Sequence, residues 1–324
     1  MKTKPRPRQH PAGKRSRRSN PAHASKTEVA ERTEPGRIIN GDALVELQKL
    51  ADRSAQLVIA DPPYFQVLAH AWDQQWPDVQ AYLDWSLAWL VAAMRVLRDD
   101  GLLYCFGQLG KREHAFLHLM SAATQRWQFH DLITWDRVVG YNERRDSFTP
   151  ATELMLVLRK SAKPKFNKSA VREPYPAATI KEYLRDKRYQ NQAARRRHLL
   201  AGKFATNLWR IPSLKGSSGE KCGHPAQKPL KLIERIVLTS SDPGDLVLDP
   251  FLGSGTTAVV AEQHGRRWLG IEKNQTYVKI AQSRLKRKIT AKEKLVGAVG
   301  FEPTTSCTRN KRATRLRYAP TQGQ

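Results

Sequence analysis

The sequence predicts an α/β fold, a mostly parallel sheet with helices packed on it, and three observations carry that prediction. Short apolar runs rich in β-branched residues, such as Leu57-Val58-Ile59-Ala60 and Leu246-Val247-Leu248, read as buried strands. They alternate with stretches whose leucines recur at helical spacing, the pattern of parallel βαβ units. Two of the runs stop at an aspartate followed by proline: Asp61-Pro62-Pro63-Tyr64, and Asp249-Pro250-Phe251-Leu252-Gly253-Ser254-Gly255-Thr256-Thr257. Ligands of open α/β sheets bind in the crevice outside the carboxyl ends of the strands, so both turns are candidate sites.

In chain order, residues 1–35 are rich in Lys, Arg, Pro and Ser, lack apolar periodicity and read as a disordered basic tail. Arg37-Ile38-Ile39 is a short strand. Asn40-Gly41-Asp42 then turns into a helix over 43–50, for which Asp42 fits the N-cap. After the strand ending at Asp61, residues 65–77 carry Trp72 and Trp76 without a clear period and fit a flap over the site. Leu83, Leu87, Leu90, Met94 and Leu97 recur at helical spacing, with Gly101 placed for the C-cap. Residues 102–106 form the next strand, 113–127 a helix, and 132–135 and 153–158 two strands, the pair flanking 137–152 fitting a hairpin.

Residues 160–222 break the rhythm. Basic residues far outnumber acids there, and Phe166, Tyr175, Tyr183, Tyr189, Phe204 and Trp209 are interleaved with them. Such an imbalance reads as a contact for a polyanion, with a disordered linker as the plain alternative. Arg195-Arg196-Arg197 lies on a helix within it. The fold resumes with His224-Pro225-Ala226-Gln227-Lys228-Pro229, which opens a helix whose Leu230, Ile233 and Val237 face the core. The turn Asp242-Pro243-Gly244 leads to the strand 246–248, the glycine loop, and a helix over 257–264 capped by Gly265. The strand 268–271 ends at Glu272, and a last helix places Tyr277, Ile280, Ala281 and Leu285 on one face. Residues 289–324 are basic again. Gly300-Phe301-Glu302-Pro303-Thr304-Thr305 resembles a tail found on unrelated bacterial sequences, as read-through across a tRNA gene would give.

Composition narrows the class. The 324 residues carry 56 Lys and Arg against 30 Asp and Glu, a net charge of +26. That excess implies a polyanionic partner, nucleic acid first, since neutralising phosphates drives such binding. Length allows a sizeable core. A merely basic protein is the plain alternative, against which stand eight tryptophans and the two strand-end motifs. The cysteines are Cys105, Cys222 and Cys307, an odd number with no Cys-x-x-Cys pair, which argues against a disulfide framework. Cys222 and His224 lack the second pair of ligands that a zinc site needs, so no metal is expected. No cysteine follows a proline as the nucleophile of a cytosine-C5 methylase would. No apolar run approaches the ~20 residues of a membrane span, and the N-terminus lacks the apolar core of a secretory signal, so a cytoplasmic location is expected.

The glycine stretch alone leaves two cofactors open. Gly253-x-Gly255-x-x-Ala258 with Glu272 downstream also fits the dinucleotide fingerprint. Taken together, the motifs Asp61-Pro62-Pro63-Tyr64 and Asp249–Thr257, in this order and preceded by His224–Pro229, resemble the β class of S-adenosylmethionine-dependent DNA amino-methyltransferases over residues 36–288. The resemblance implies a Rossmann-like methyltransferase sheet with one antiparallel strand and a circularly permuted motif order. It implies a catalytic half at 36–159, a target-recognition insertion at 160–222, and a donor-binding half at 223–288. It implies that Asp42, Asp249, Phe251, Gly253, Ser254, Gly255, Thr256 and Glu272 hold S-adenosyl-L-methionine, with Asp249 meeting its amino group and Glu272 its ribose hydroxyls. Asp61, Pro62, Pro63 and Tyr64 are then catalytic. Asp61 and the Pro62 carbonyl accept the hydrogens of an exocyclic amine, and Tyr64 stacks on the flipped base. Arg195, Arg196 and Arg197 contact double-stranded DNA. An aspartate opening the motif goes in this family mainly with adenine. Cytosine-N4, an RNA amino group, and a non-catalytic nucleic-acid-binding protein are the alternatives; a homodimer and a companion restriction endonuclease are compatible with the family.

Overall fold

A computed structural model describes residues 36–286, apart from residues 68, 111–112, 141–147, 187 and 189. The expectations for both basic tails and for Tyr189 lie outside the described residues. The strands are β1 (Arg37–Asn40), β2 (Ala55–Ala60), β3 (Leu97–Gly107), β4 (Gln128–Asp136), β5 (Thr152–Arg159), β6 (Leu208–Arg210), β7 (Leu246–Asp249) and β8 (Arg267–Glu272). The helices are α1 (Ala43–Gln48), α2 (Val79–Val96), α3 (Ala115–Arg126), α4 (Ala177–Arg185), α5 (Gln192–Ala201), α6 (Leu230–Ser240), α7 (Thr256–Gln263) and α8 (Gln275–Lys286).

The eight strands form one sheet in the order β1-β8-β7-β2-β3-β5-β4-β6. All neighbours pair in parallel except β5, which runs antiparallel to both β3 and β4. The expected hairpin and the single antiparallel strand are therefore present. Period-2 alternation sends the two faces of the sheet into separate cores. Leu57 and Ile59 of β2 join Tyr104, Phe106, Val247 and residues of α6 and α7. Val58 and Ala60 face the other way, onto Trp89, Leu90 and Met94 of α2 and Leu119 of α3. Every residue of β2 is buried, which is why the central strand reads as an apolar run over 57–60, while the buried Gln56 before it donates to the Asp100 carbonyl.

Gly101 does not cap the helix that precedes it. Asp78 caps α2 at its start, its side chain accepting from the Ala81 amide at 2.8 Å. The helix ends at Leu97, whose extended backbone (φ −64°, ψ 137°) leads straight into β3. Gly101 lies inside that strand, where a Cβ would sit 2.6 Å from the Gln56 carbonyl oxygen. Close backbone approach, not helix termination, requires a glycine there. In α8 Ala281 is buried, Tyr277, Ile280 and Leu285 are half-buried as the expected face requires, and Val278 is buried beside them.

The basic segment 160–222 is tied to the sheet. Its β6 pairs with β4, Lys165 bridges Asp242 and Asp245 at 3.0 and 2.8 Å, and Glu173 meets Arg235 of α6 at 3.0 Å. Its aromatic side chains are partly spent on packing. Trp209 is buried beneath the Arg235 guanidinium, and the Phe204 ring lies against Arg172 and Lys168.

Candidate active site

Parallel pairing of β1, β8, β7 and β2 brings their carboxyl ends to one edge of the sheet. Each end delivers a carboxylate: Asp42 just past β1, Glu272 closing β8, Asp249 closing β7 and Asp61 just past β2. All four line a single cleft of about 470 Å³. Pro62, Pro63, Tyr64, Phe251, Gly253, Ser254 and Thr256 line it as well. The expected catalytic and donor residues thus share one cavity, with one exception. Gly255 is not part of the lining; it is the left-handed N-cap of α7 (φ 80°), where a Cβ would lie 2.9 Å from that of Ala281. That glycine serves the packing of α7 on α8.

At the ends of β1, β7 and β8 each carboxylate accepts from a backbone amide, and Asp42 and Asp249 also meet the side chains of Lys273 and Thr257. Glu272 accepts from the Gly253 amide at 2.8 Å and the Asn274 amide at 2.7 Å. Burial raises its pKa against the opposing effect of those amides. Asp249 accepts from the Phe251 amide at 3.0 Å, and burial pushes its pKa up to about 7, with Asp61 and Glu272 adding to the rise. Asp42 caps α1 through the Leu44 amide at 3.0 Å and meets Lys273 at 3.1 Å, so its capping role is present beside its place on the cleft wall. Phe251 is braced by Trp85 and Trp89, at ring separations of 5.7 and 5.1 Å.

This arrangement separates the two cofactor readings. A pyrophosphate needs free loop amides and cations. Here the Gly253 amide is taken by Glu272, and the two lysines of the lining, Lys228 and Lys273, are paired with Asp61 and Asp42. His224, edge-on to Tyr277, is kept neutral by burial and by the nearby Lys228 charge, which bring its pKa down to about 4. A cleft walled by four carboxylates fits a cationic ligand and disfavours a dinucleotide.

At the Asp61 turn the contacts of the carboxylate among the described residues come from side chains. Lys228 meets Asp61 Oδ2 at 2.8 Å and the Tyr64 hydroxyl donates to Asp61 Oδ1 at 2.7 Å. Lys228 also reaches Glu153 Oε2 at 3.3 Å, and Arg137 meets Glu153 Oε1 at 3.3 Å. The Tyr64 amide donates to the buried Asp73 at 2.6 Å, which fixes the turn. Tyr64 is itself buried, with its hydroxyl directed inward at the carboxylates.

Sequence reasoning missed Lys228, Glu153 and Arg137. Glu153 stands near the start of its strand, and only the antiparallel course of β5 brings that end to the edge where the other strands finish. The signal for Lys228 is its place in His224–Pro229, which the sequence offers as a helix start and a family motif but not as a charge for Asp61.

The three arginines of α5 divide. Arg196 and Arg197 are exposed, whereas Arg195 is partly buried, its guanidinium 5.7 Å from the Tyr183 ring centroid. Among the described residues no group of three His, Cys, Asp or Glu side chains gathers to hold a metal, and no helix is long and apolar enough to cross a membrane.

Comparison with known proteins agrees with this geometry. The family model of N6 and N4 DNA methylases matches residues 55–283. The DNA adenine methyltransferase YhdJ of Escherichia coli K12 is 32% identical over 254 residues, covering 76% of this chain and 82% of the relative. Among solved structures, the cytosine-N4-specific PvuII DNA methyltransferase superposes with a TM-score of 0.60 at 22% identity, over 82% of this chain and 91% of that one. A putative DNA modification methylase from Thermus thermophilus, solved with S-adenosyl-L-methionine, gives 0.54 at 25% identity, over 79% and 95%. Four carboxylates on one sheet edge, the two strand-end motifs and these likenesses agree: the chain belongs to the N6 and N4 amino-methyltransferase family of DNA methylases.

Proposed function

We propose that the protein transfers a methyl group from S-adenosyl-L-methionine to the exocyclic amino group of an adenine flipped out of double-stranded DNA. The observation that carries this reading is the division of one cleft between an anionic pocket, built on Asp249, Glu272 and the glycine loop, and the Asp61 turn beside it. S-adenosylmethionine supplies an electrophilic methyl group on a cationic sulfonium. Asp249 faces its amino group, Glu272 its ribose hydroxyls, and Phe251, Gly253, Ser254 and Thr256 the rest of it.

Asp61 and the Pro62 carbonyl act on the target. An exocyclic amine is a weak nucleophile because its lone pair is delocalised into the ring. Accepting its hydrogens draws the nitrogen towards sp³ geometry and returns the lone pair to the reacting atom. Positioning the two reactants in line supplies much of the rate. A base inside a duplex cannot reach the cleft, so it must be extruded, and Tyr64 stacks on it after its hydroxyl leaves Asp61. Arg196 and Arg197, exposed on the basic segment 160–222, contact DNA.

Adenine is supported by the aspartate that opens the motif and by the name of the E. coli relative. The same acceptor chemistry would serve the amino group of cytosine. Incubation with labelled methyl donor and DNA, RNA or protein tests the substrate class. Label in DNA alone is expected; label in RNA or protein alone would overturn the reading.

A further inference from the structure

Lys228 is buried within the target side of the cleft, and its ammonium has three acceptors within reach. They are Asp61 Oδ2 at 2.8 Å, Glu153 Oε2 at 3.3 Å and the Tyr64 hydroxyl at 3.4 Å. An ammonium has three hydrogens and accepts none, so this lysine is fully committed and cannot take a proton from the substrate. Its main chain faces the other half of the site: the Lys228 carbonyl accepts from Thr256 of the glycine loop at 3.2 Å. Without its charge, Asp61 and Glu153 would converge on one tyrosine hydroxyl, since Tyr64 reaches Asp61 Oδ1 at 2.7 Å and Glu153 Oε2 at 3.4 Å. Two carboxylates in one buried place do not both stay ionised at little cost.

We propose that Lys228 is a positioning residue of the methyl-transfer reaction, holding Asp61 oriented as an acceptor by placing its ammonium between Asp61 and Glu153. This rests on the reading of Asp61 given above. The contacts support it. The Lys228 ammonium lies between the Asp61 and Glu153 carboxylates, and Arg137 meets Glu153 from its other oxygen. Burial disfavours the Lys228 ammonium, but Asp61 and Glu153 outweigh that and raise its pKa. The other groups that face Asp61 do not supply this cation. Cys105 of β3 is a thiol whose pKa burial raises, and Asp249 of β7 adds negative charge when ionised.

An ammonium placed between two carboxylates makes a prediction that simple packing does not. Lys228→Met removes the cation between Asp61 and Glu153, whereas Lys228→Met with Glu153→Gln also removes one of the two like charges it separated. Lys228→Met is expected to lower kcat about 100-fold, the scale of a misplaced reacting group, with donor affinity by calorimetry unchanged. The double variant should recover about tenfold of that loss, because it relieves a like-charge contact. Lys228→Arg, which keeps the charge, should retain more turnover than Lys228→Met.

Turnover of Lys228→Met near that of the parent, or a double variant slower than the single, would overturn the proposal. Should Lys228→Met fail to fold, the double variant and Lys228→Arg decide it: turnover in both supports the proposal, and its absence in Lys228→Arg overturns it. Asp61→Asn separates this inference from the reading beneath it. Full activity of Asp61→Asn would sink the reading. An inactive Asp61→Asn beside an active Lys228→Met would sink the inference alone.

Discussion

The two sides of the cleft hold their carboxylates in different ways. Asp42, Asp249 and Glu272 are fixed by backbone amides of their own turns, within one or two residues for Leu44, Phe251 and Asn274. Such bonds form whenever the local chain adopts its turn, so the donor side is built by local structure. Asp61 is fixed by Lys228 from far along the chain and by a tyrosine hydroxyl. Side-chain partners can be exchanged for a substrate without unfolding a turn. On the function proposed above, the donor side would be preformed, and the Asp61 side would change partners when a base arrives.

The largest effect should come from the target side. Asp61→Ala is expected to reduce turnover by about 100-fold or more, the scale of a lost acid–base group, while donor affinity stays within twofold of the parent. Donor binding lost along with turnover would erase the division between the two sides. On the donor side, Glu272→Ala should weaken S-adenosylmethionine binding by about 1.5–3 kcal/mol, the worth of hydrogen bonds to a charged acceptor. It should also lower the unfolding midpoint, because the Gly253 and Asn274 amides lose their acceptor. Calorimetry showing unchanged affinity would remove Glu272 from the donor site.

Gly253→Ala sharpens the same point at smaller scale. Its φ is 51°, and a Cβ would lie 3.1 Å from His224 Nε2. A loss of about 1–2 kcal/mol in stability is expected from urea unfolding, because L-residues disfavour this conformation. Away from the cleft, Arg196→Ala and Arg197→Ala should each flatten the salt dependence of DNA binding by about one phosphate contact, with the donor site untouched. Arg195→Ala should change stability more than the salt slope, since this arginine packs on Tyr183.

Asp249 gives the pH test. Its pKa in the folded chain is about 7, against an ordinary value of 3.8. Between these values the unfolded chain is ionised there and the folded one is protonated. This residue's contribution to stability therefore falls as pH rises from about 4 to about 7. A cationic ligand reverses the preference, so donor affinity should tighten as pH rises through 7. Asp249→Asn should remove that dependence; an unchanged pH profile in the variant would detach Asp249 from the donor's amino group.

The same contrast explains what the sequence could say. The donor side was legible because its signals are contiguous: an apolar run, an acid at its end and glycines next to it. The carboxyl-end rule found Asp61, Asp249 and Glu272 without any structure. It could not find Glu153, whose strand runs backwards, nor pair it with Lys228, since charge pairing across the sheet leaves no periodic mark. Gly101 shows the reverse error. A glycine after a helical pattern reads as a cap, but the contact that demands it comes from the Gln56 carbonyl on a neighbouring strand. Arg195 likewise reads as one of three equal charges until Tyr183 is seen beneath it.

The account's central claim is that Asp61 acts on an adenine amino group in DNA. The most direct measurement is to incubate duplex DNA with S-adenosylmethionine and the purified chain, digest it to nucleosides and identify the methylated product by mass spectrometry, with Asp61→Ala in parallel. The predicted result is 6-methyladenine from the parent and none from the variant. Finding 4-methylcytosine without 6-methyladenine would contradict the assignment of the base, and 6-methyladenine formed equally by Asp61→Ala would contradict the mechanism.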